Sequence, residues 1–291
     1  MHQQPLVTII CLCYNHEKFV LEALDSVIKQ EYLNIELIIV DDCSTDNSVR
    51  VIENWLTNYP QISFFKNSKN QGNTKTFNNV LQFAKGEYII DLAADDRLLP
   101  NCILTQIKTF QNSTYTNLGI VYGNFNLINE NGTFKKLYFS ENEYPESGDV
   151  YEMVIGRKVK LGSIAAIYKT DVLKQLGGYD ENLAYEDLDI WVRISRDYKV
   201  EYVPISLAEK RELDSSLSAQ FIHKRNPKTT LLHKSTLEIF KKILDLNKTK
   251  SENKIVINRM NFELRKFISA REWVLGFKLF ILMLKAFFKS F

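Results

Sequence analysis

Short apolar runs alternate with amphipathic segments of helical period from the start of the chain to about residue 93. Four runs have the length of buried strands, namely LVTIICLCY, IELIIV, ISFF and YIIDLA. Segments with helical apolar spacing follow the first three, namely HEKFVLEALDSVIKQ, NSVRVIENWLTNY and TKTFNNVLQFAKG. We expect Asn15 to cap the first helix and Gly86 to end the third. These βα units predict an α/β fold, in which a mostly parallel sheet is flanked by helices.

Polar clusters follow three of the predicted strands directly. They are Tyr14–Asn15, the stretch DDCSTDNS at 41–48, and the pair Asp95–Asp96. In open α/β sheets, ligands bind beyond the carboxyl ends of the strands. We therefore expect one crevice to hold all three clusters.

The stretch DDCSTDNS combines two kinds of polar residue. Ser44, Thr45 and Asp46 are of the types that often precede a helix, and we expect them to cap the next one. Asp41 instead ends the strand, where its carboxylate could accept hydrogen bonds from a nucleobase or a ribose.

The adjacent acids Asp95 and Asp96 suggest a cation site. Two neighbouring carboxylates repel each other, and they are hard oxygen ligands that suit Mg²⁺ or Mn²⁺. The chain has neither G-x-G-x-x-G nor G-x-x-x-x-G-K-[ST], so a bound diphosphate would need a metal to neutralise its charge. The alternative is that the two acids cap a helix beginning near Pro100 or shape a turn. The residue types alone leave both readings open.

Four motifs of residues 5–220 occur in an order that resembles family 2 glycosyltransferases with the GT-A fold. They read PLVTIICLCYN, IELIIVDDCSTDNS, NQGNTKTFNNVLQFAKGEYIIDLAADDRLLP and GGYDENLAYEDLDIWVRI. The resemblance implies that Tyr14, Asn15 and Asp41 bind the nucleotide sugar. It also implies that Asp95 meets the ribose or the metal, and that Asp96 binds a divalent metal on the diphosphate. The family commonly reads L-D-x-D-D at this motif, whereas residues 92–96 here read LAADD, which lowers the local charge.

The last of these motifs predicts a helix from about Glu186. Leu188, Trp191, Val192 and Ile194 have the spacing of an inward face, and the acids at the start complement the helix dipole. From the residues alone, that electrostatic role is favoured for Glu186 and Asp187. The family resemblance instead implies that Asp187 is the general base for the acceptor hydroxyl, with Glu186 in support. A base opposite a metal-held diphosphate fits a single displacement that inverts the anomeric configuration.

One motif departs from the family pattern. Many relatives carry a stretch like R-x-H-x-x-S-x-S after this helix, whereas this chain reads RELDSSLS, with Leu213 in place of the histidine. Arg211 is still expected to meet a phosphate of the donor. The third protein ligand of the metal is left open, with His223 and His233 as candidates, although a lone histidine is more often solvent-exposed.

The chain divides into a predicted catalytic domain and a basic tail. We assign residues 1–222 to the catalytic domain, with about 1–110 for the donor and about 111–222 for the acceptor. In the acceptor half, FNLINENGTFKKLYF predicts a β-hairpin with an Asn-Gly turn, which either lines the acceptor groove or extends the sheet. Residues 223–291 form the tail.

The tail carries a strong positive charge. From Lys224 onward there are 16 Lys and Arg against 5 Asp and Glu, whereas the rest of the chain has 21 against 30. In WVLGFKLFILMLKAFFKSF, at 273–291, Lys278, Lys285 and Lys289 form one stripe on a helix, with Arg271 one heptad earlier. The pattern favours a helix in an anionic membrane interface. The alternative is a helix that packs on its own domain or on a dimer mate.

The sequence thus predicts an inverting glycosyltransferase assisted by Mn²⁺ or Mg²⁺. The expected donor is a nucleotide sugar, with UDP first on family grounds, and the expected acceptor is a glycan or a lipid-linked glycan in surface polysaccharide synthesis. The start MHQQPLVTII lacks the features of a signal peptide, so we expect a cytoplasmic protein, peripheral on the inner face of the cell membrane. One alternative is a metal-dependent nucleotidyltransferase. A weaker one is a nucleic-acid-binding protein using the tail, which we do not favour because the tail is rich in lysine and aliphatic residues.

Overall fold

The computed structural model describes residues 4–143, 145–160, 162–213 and 226–290. Their contacts group the chain into two units. The first contains residues 1–148, 162–179 and 198–212, and the second contains residues 149–161, 180–197 and 213–291. The predicted domain boundary at residue 222 stays a prediction.

The strands of the first unit join in one mixed sheet. Its parallel part has the order β3-β2-β1-β4, and β8, β6, β9 and β5 continue the sheet, with β7 paired to β6. The strands are β1 (Val7–Cys13), β2 (Ile35–Asp41), β3 (Ser63–Lys66), β4 (Tyr88–Ala93), β5 (Arg97–Leu98), β6 (Leu118–Ile128), β7 (Phe134–Leu137), β8 (Ala166–Lys169) and β9 (Lys199–Arg211). The four predicted strands and the α/β fold class are therefore confirmed.

Helices of the first unit follow its strands. They are α1 (Val20–Ile28), α2 (Ser48–Leu56), α3 (Asn73–Leu81), α4 (Cys102–Asn112) and α6 (Thr170–Gln175), with a 3₁₀ turn at Ser163–Ala165. The second unit contains α5 (Tyr151–Ile155), α7 (Asp187–Asp197), α8 (Pro227–Leu246), α9 (Lys250–Ser269) and α10 (Trp273–Phe288). Among the described residues, no helix combines the length and the apolar character needed to cross a membrane.

Two predicted helix ends are wrong. The first helix begins at Val20 and not after Asn15, because Asn15 takes a left-handed conformation (φ 58°) and lies in the preceding loop. The third helix ends at Leu81 and not at Gly86. Gly86 is required for another reason. A Cβ there would lie against the backbone nitrogen of Thr8 and 2.7 Å from the carbonyl oxygen of Tyr88.

The predicted β-hairpin is confirmed. Strands β6 and β7 pair in an antiparallel manner, and Ile128 lies opposite Phe134. The Asn129 side chain accepts a hydrogen bond from the Thr133 backbone, and Gly132 takes the left-handed conformation (φ 79°) that this turn requires. The turn lies close to two arginines of the first unit, because a Cβ on Gly132 would be 3.3 Å from Arg97 and 3.7 Å from Arg211.

Ion pairs join helix α7 to the tail helices within the second unit. Asp189 of α7 is 1% exposed and contacts Lys242 of α8 at 2.7 Å, and Lys242 also contacts Asp180 at 2.6 Å. Two turns further, Arg196 contacts Glu252 of α9 at 2.7 Å. The predicted helix near Glu186 is confirmed, and the helices of the basic tail hold it in place.

We predict that Gly86→Ala lowers the free energy of unfolding by about 3 kcal/mol, because the added methyl group overlaps backbone atoms that cannot move aside. The matched control is Gly177→Ala, where φ is 78° and no atom lies within 4 Å of the added Cβ. This control should lose only the strain of the left-handed conformation, about 1 kcal/mol. Urea unfolding measures both values, and equal losses would contradict the packing argument.

Candidate active site

The three polar clusters meet at one edge of the sheet, as predicted. Strand β1 pairs in parallel with β2 and with β4, so that Cys13 lies beside Asp41 and Leu12 beside Ala93. The pairing continues past the strand ends, where the Asp42 amide donates to the Cys13 carbonyl and the Ala94 amide to the Leu12 carbonyl. The loops after the three strands therefore begin side by side.

Hydrogen bonds connect the first two loops directly. The Asn15 side-chain oxygen accepts from the Thr45 amide at 2.7 Å, and the Asn15 amide donates to the Ser44 hydroxyl at 2.9 Å. Asp46 accepts from the Glu17 amide at 3.0 Å and from the Ser48 amide at 2.9 Å. Of Ser44, Thr45 and Asp46, it is Asp46 that bonds to the start of α2, so the prediction that Ser44 and Thr45 cap this helix is wrong. Their polar groups hold the first loop instead.

Asp41 and Asp42 have different surroundings. One Asp41 oxygen accepts from the Ser44 amide at 2.9 Å, while the other is buried and has no hydrogen-bond partner in the part of the chain that the structure describes. Asp42 accepts from the backbone amides of Gln71 and Gly72, which hold the loop before α3. Because an unpaired buried carboxylate oxygen is costly, Asp41 is the better candidate for binding a ligand.

The acidic pair lies in a turn after β4. The Asp96 amide closes the turn on the Ala93 carbonyl at 3.0 Å. Helix α4 begins later, with Asn101 as its N-cap residue and no side-chain cap, so the capping alternative for the two acids is wrong and only the turn is confirmed. Asp96 is 6% exposed, and its carboxylate accepts from the Arg211 amide at 2.9 Å. Burial, with the Asp95 charge beside it, raises the pKa of Asp96 to about 8.

His16 is a neighbour of the acidic pair that the sequence interpretation missed. Its Nδ1 atom lies 3.6 Å from a carboxylate oxygen of Asp95. This nitrogen is buried and has no hydrogen-bond partner among the described residues. The only available signal was its position, one residue after Asn15 in the loop that follows β1.

Arg211 lies directly behind the acidic pair and is 1% exposed. Its guanidinium donates to the Asp95 carbonyl at 3.1 Å, to the Glu130 carbonyl at 2.5 Å and to the Glu22 carboxylate at 2.7 Å. It also stacks 4.6 Å from the centre of the Phe19 ring. These protein groups occupy most of its donors, so a phosphate contact would require Arg211 to leave them. The sequence interpretation missed Glu22, which looked like an ordinary exposed residue of α1.

The carboxylates of Asp95 and Asp96 suit a metal ion that also binds phosphate oxygens. No group of three or more His, Cys, Asp and Glu side chains positioned to hold a metal occurs within residues 4–143, 145–160, 162–213 and 226–290. Asp95 and Asp96 fit a Mg²⁺ or Mn²⁺ ion that completes its coordination with diphosphate oxygens and water. A cation would also offset the cost of burying Asp96 beside a second carboxylate.

Of the two candidate histidine ligands of the predicted metal site, one lies among the described residues. His223 lies outside the described residues. His233 of α8 is buried and not solvent-exposed, and its ring stacks on Phe267 with centroids 4.1 Å apart. Burial lowers the pKa of His233, so its imidazole is neutral at pH 7. A ligand role for either histidine stays a prediction.

Glu186 and Asp187 lie at the start of α7, in the second unit. The Ile190 amide donates to the Glu186 carbonyl at 3.0 Å, which makes this the first turn of the helix. Just before it, the Tyr185 hydroxyl is 2.9 Å from the Thr236 hydroxyl of α8. The segment that carries the predicted base is therefore anchored on both sides, and the role of Asp187 itself stays a prediction.

The family model described as Glycosyl transferase family 2 matches residues 8–169. An uncharacterized glycosyltransferase of Methanocaldococcus jannaschii is 28% identical, over 72% of this chain and 71% of that protein. An uncharacterized glycosyltransferase of Rickettsia felis is 27% identical, over 80% of this chain and 38% of that protein. The poly-beta-1,6-N-acetyl-D-glucosamine synthase of Staphylococcus epidermidis is 27% identical, over 71% of this chain and 50% of the synthase. The chain thus spans about half the length of that synthase and less than half the length of the Rickettsia protein.

Solved structures share the fold. TarS of S. aureus, residues 1–349 in complex with UDP-GlcNAc, superposes with a TM-score of 0.69 at 18% identity, over 92% of this chain and 74% of that one. The mannosyltransferase PcManGT of Pyrobaculum calidifontis, in complex with GDP-Man and Mn²⁺, gives a TM-score of 0.56 at 16% identity, over 98% and 88% of the two chains. Since the family model covers more than half of the sequence and the fold agrees, the chain belongs to glycosyltransferase family 2 and has the GT-A fold.

Proposed function

We propose that this family 2 glycosyltransferase moves a sugar from a nucleotide-diphosphate donor to a hydroxyl of a glycan or lipid-linked acceptor, with inversion at the anomeric carbon. The observation that carries the proposal is the meeting of Asp41, Asp95 and Asp96 at adjacent ends of β2, β1 and β4. A nucleotide-sugar donor is supported by the complexes of TarS with UDP-GlcNAc and of PcManGT with GDP-Man. UDP is the first candidate.

The donor site is proposed to form on the loops after β1 and β2. Tyr14 is 43% exposed, so its ring is available to stack against a nucleobase. The unpaired carboxylate oxygen of Asp41 would accept a hydrogen bond from the base or the ribose. Asn15 would hold the two loops together through Thr45 and so shape this site.

Asp96 and Asp95 are proposed to hold a Mn²⁺ or Mg²⁺ ion against the diphosphate. The bound cation would supply positive charge that stabilises the departing nucleotide diphosphate. The proposal is supported by the pair of adjacent carboxylates in one turn, and PcManGT provides a precedent for Mn²⁺ within the same fold.

Arg211 is proposed to position the acidic pair, in place of the predicted contact with a phosphate. Its side chain bonds to the Asp95 carbonyl, and its own amide bonds to the Asp96 carboxylate. Glu22 holds the far side of the guanidinium. Through these contacts Arg211 fixes the turn on which both proposed metal ligands lie.

Asp187 is proposed to take the proton from the acceptor hydroxyl, with Glu186 in support. A carboxylate at the start of a helix is held in its charged form by the helix dipole, so it is ready to accept a proton. Proton removal makes the acceptor oxygen nucleophilic, and attack from the side opposite the diphosphate inverts the anomeric centre.

We propose that the reaction contributes to a surface polysaccharide at the cytoplasmic face of the cell membrane. The product class is supported by the name of one relative, a poly-beta-1,6-N-acetyl-D-glucosamine synthase. A peripheral membrane location is supported by the basic tail, with its 16 Lys and Arg against 5 Asp and Glu from Lys224 onward.

Calorimetric titration with UDP, GDP and CDP, each with Mn²⁺ and with EDTA, tests the donor site. We expect one nucleotide to bind in the presence of Mn²⁺ and to bind at least tenfold more weakly in EDTA. Failure of all three nucleotides to bind to the folded protein would contradict the proposed donor site.

Two substitutions separate the proposed roles of the acids. Asp96→Asn should lower the Mn²⁺-dependent affinity for the nucleotide and abolish sugar transfer, because one metal ligand is lost. Asp187→Asn should leave nucleotide affinity unchanged while transfer falls by about 100-fold or more, because the base is lost. Asp171→Asn, at an exposed acid of α6, is the control. Near-normal transfer by either of the first two variants would contradict the role given to that residue.

Arg211→Met tests positioning against direct phosphate binding. It should lower the free energy of unfolding by about 2–4 kcal/mol, since buried acceptors lose their donor. The control Arg97→Met, which removes a more exposed partner of Glu22 and Glu209, should cost about 1 kcal/mol. If Arg211 acts by positioning the acidic pair, Arg211→Met should lower UDP affinity in Mn²⁺ and leave UDP affinity in EDTA unchanged. An equal fall in EDTA would show that Arg211 itself contacts phosphate.

A further inference from the structure

Helix α10 has a buried face and an exposed face that are both apolar. Leu275, Leu279, Leu282 and Ala286 are buried, and the helix packs on α8 and α9 of its own unit. This packing corresponds to one of the alternatives left open by the sequence, but it accounts for only one face. Eight large apolar side chains remain exposed, with exposed fractions from 38% to 75%. They are Trp273, Val274, Phe277, Phe280, Ile281, Leu284, Phe287 and Phe288.

The exposed residues form one continuous surface. Phe277, Ile281, Leu284 and Phe288 follow each other at the spacing of a single helix face, opposite Leu279. The remaining four lie on either side of this row. A helix of 16 residues is about 24 Å long, so the surface runs along the whole helix. Scattered exposed apolar residues are normal, whereas a continuous surface of eight marks an interaction site.

Positive charge lies along one edge of this surface. Lys278 and Lys285 are exposed, are two helical turns apart, and have no ionic partner among the described residues. Lys289 differs from the predicted stripe, because its ammonium donates to the Leu244 carbonyl at 3.0 Å. Arg271 also lies outside the stripe, since it precedes the helix in a left-handed conformation (φ 57°).

We propose that α10 docks the protein on an anionic lipid bilayer, lying along the surface with the eight exposed side chains among the acyl chains near the headgroups. Lys278 and Lys285 would reach lipid phosphates from the edge of the inserted face. Aromatic residues are suited to this depth, and five of the eight are Trp or Phe. The inference goes beyond sugar transfer, because it requires neither donor nor metal.

Charge favours a bilayer over a second copy of the chain. Residues 273–291 contain no Asp or Glu, so two such helices meeting face to face would offer the lysines no partner from this segment. An anionic leaflet supplies both an apolar layer for the aromatic face and phosphates for the lysines.

Flotation of the full chain with lipid vesicles, in EDTA and without nucleotide, tests the proposal. One set of vesicles contains phosphatidylcholine alone, and in the other set about 30% of the phosphatidylcholine is replaced by phosphatidylglycerol. We expect binding to the anionic vesicles, and weaker binding to the neutral ones or at high salt. Equal binding to both sets would overturn the role of the lysines, and no binding to either would overturn the whole proposal.

Two pairs of variants with matched controls locate the surface. The double variant Phe277→Ser, Phe288→Ser should reduce vesicle affinity at least tenfold, whereas Leu33→Ser, Phe134→Ser, at exposed apolar positions of the first unit, should not.

Lys278→Gln, Lys285→Gln should reduce affinity for anionic vesicles by about 30-fold, since each surface lysine contributes about fivefold. The control Lys69→Gln, Lys75→Gln removes the same charge from exposed positions elsewhere. Equal losses in a variant and its control would overturn the assignment.

Sedimentation analysis of the same proteins tests the alternative that a second copy of the chain covers α10. A dimeric chain that becomes monomeric in the Phe277→Ser, Phe288→Ser variant, with no vesicle binding by the parent, would show that a second copy covers α10. Nucleotide titration of the variant should match that of the parent. A failure of membrane docking can thus be told apart from a failure of the proposed donor site.

Discussion

The parallel hydrogen bonding of β1 to both β2 and β4 is the constraint on which the rest of the first unit depends. It places the ends of three strands at one level, with Cys13 beside Asp41 and Leu12 beside Ala93. At the opposite end, the same packing brings Gly86 so close to Thr8 that no side chain is tolerated. Because the three strands are mostly buried and are hydrogen-bonded to one another, the loops that leave them start side by side.

Close spacing of these loops concentrates negative charge where little water can screen it. Asp41 has an unpaired oxygen, and Asp96 is buried beside Asp95 with its pKa raised to about 8. Arg211 compensates part of this charge, but it is shared with Glu22, which also contacts Arg97. The arrangement is costly for the free protein and would become favourable with the proposed cation and its phosphates bound, as expected of a site selected for binding and not for stability.

Sequence reasoning predicted the four parallel strands, the β6–β7 hairpin, the fold class and the meeting of the polar clusters, because these follow from apolar period and strand order. It did not predict β5, β8 or β9. It could not predict contacts between side chains distant in sequence. The bonds of Asn15 to Thr45 and of Arg211 to Glu22 join residues 30 and 189 positions apart, and neither pair has a spacing that marks it. The orientation of helix α10 could not be predicted for a different reason. It is apolar on almost all sides, so its period could not reveal which face packs inward and which remains exposed.

The same limit applies to Asp189, which looked like one more acid at the start of α7. Its burial and its contact with Lys242 depend on a helix that is formed from later sequence. Arg193, one turn along α7, contacts one Asp189 oxygen at 2.7 Å and Lys242 contacts the other, so loss of the tail would leave this buried carboxylate only half-paired and would destabilise the helix that carries the predicted base. We therefore expect a shortened chain lacking α8 to have a less stable α7.

The contact between Asp189 and Lys242 also sets an order of events during synthesis. Lys242 is translated 53 residues after Asp189, which corresponds to roughly 3–10 s at ordinary elongation rates. During this interval the strands β1, β2 and β4 are already available to pair, whereas Asp189 of α7 has Arg193 beside it but still lacks Lys242. The parallel part of the sheet can therefore form first, and the helix that carries the predicted base gains its last ion pairs only when the tail has emerged.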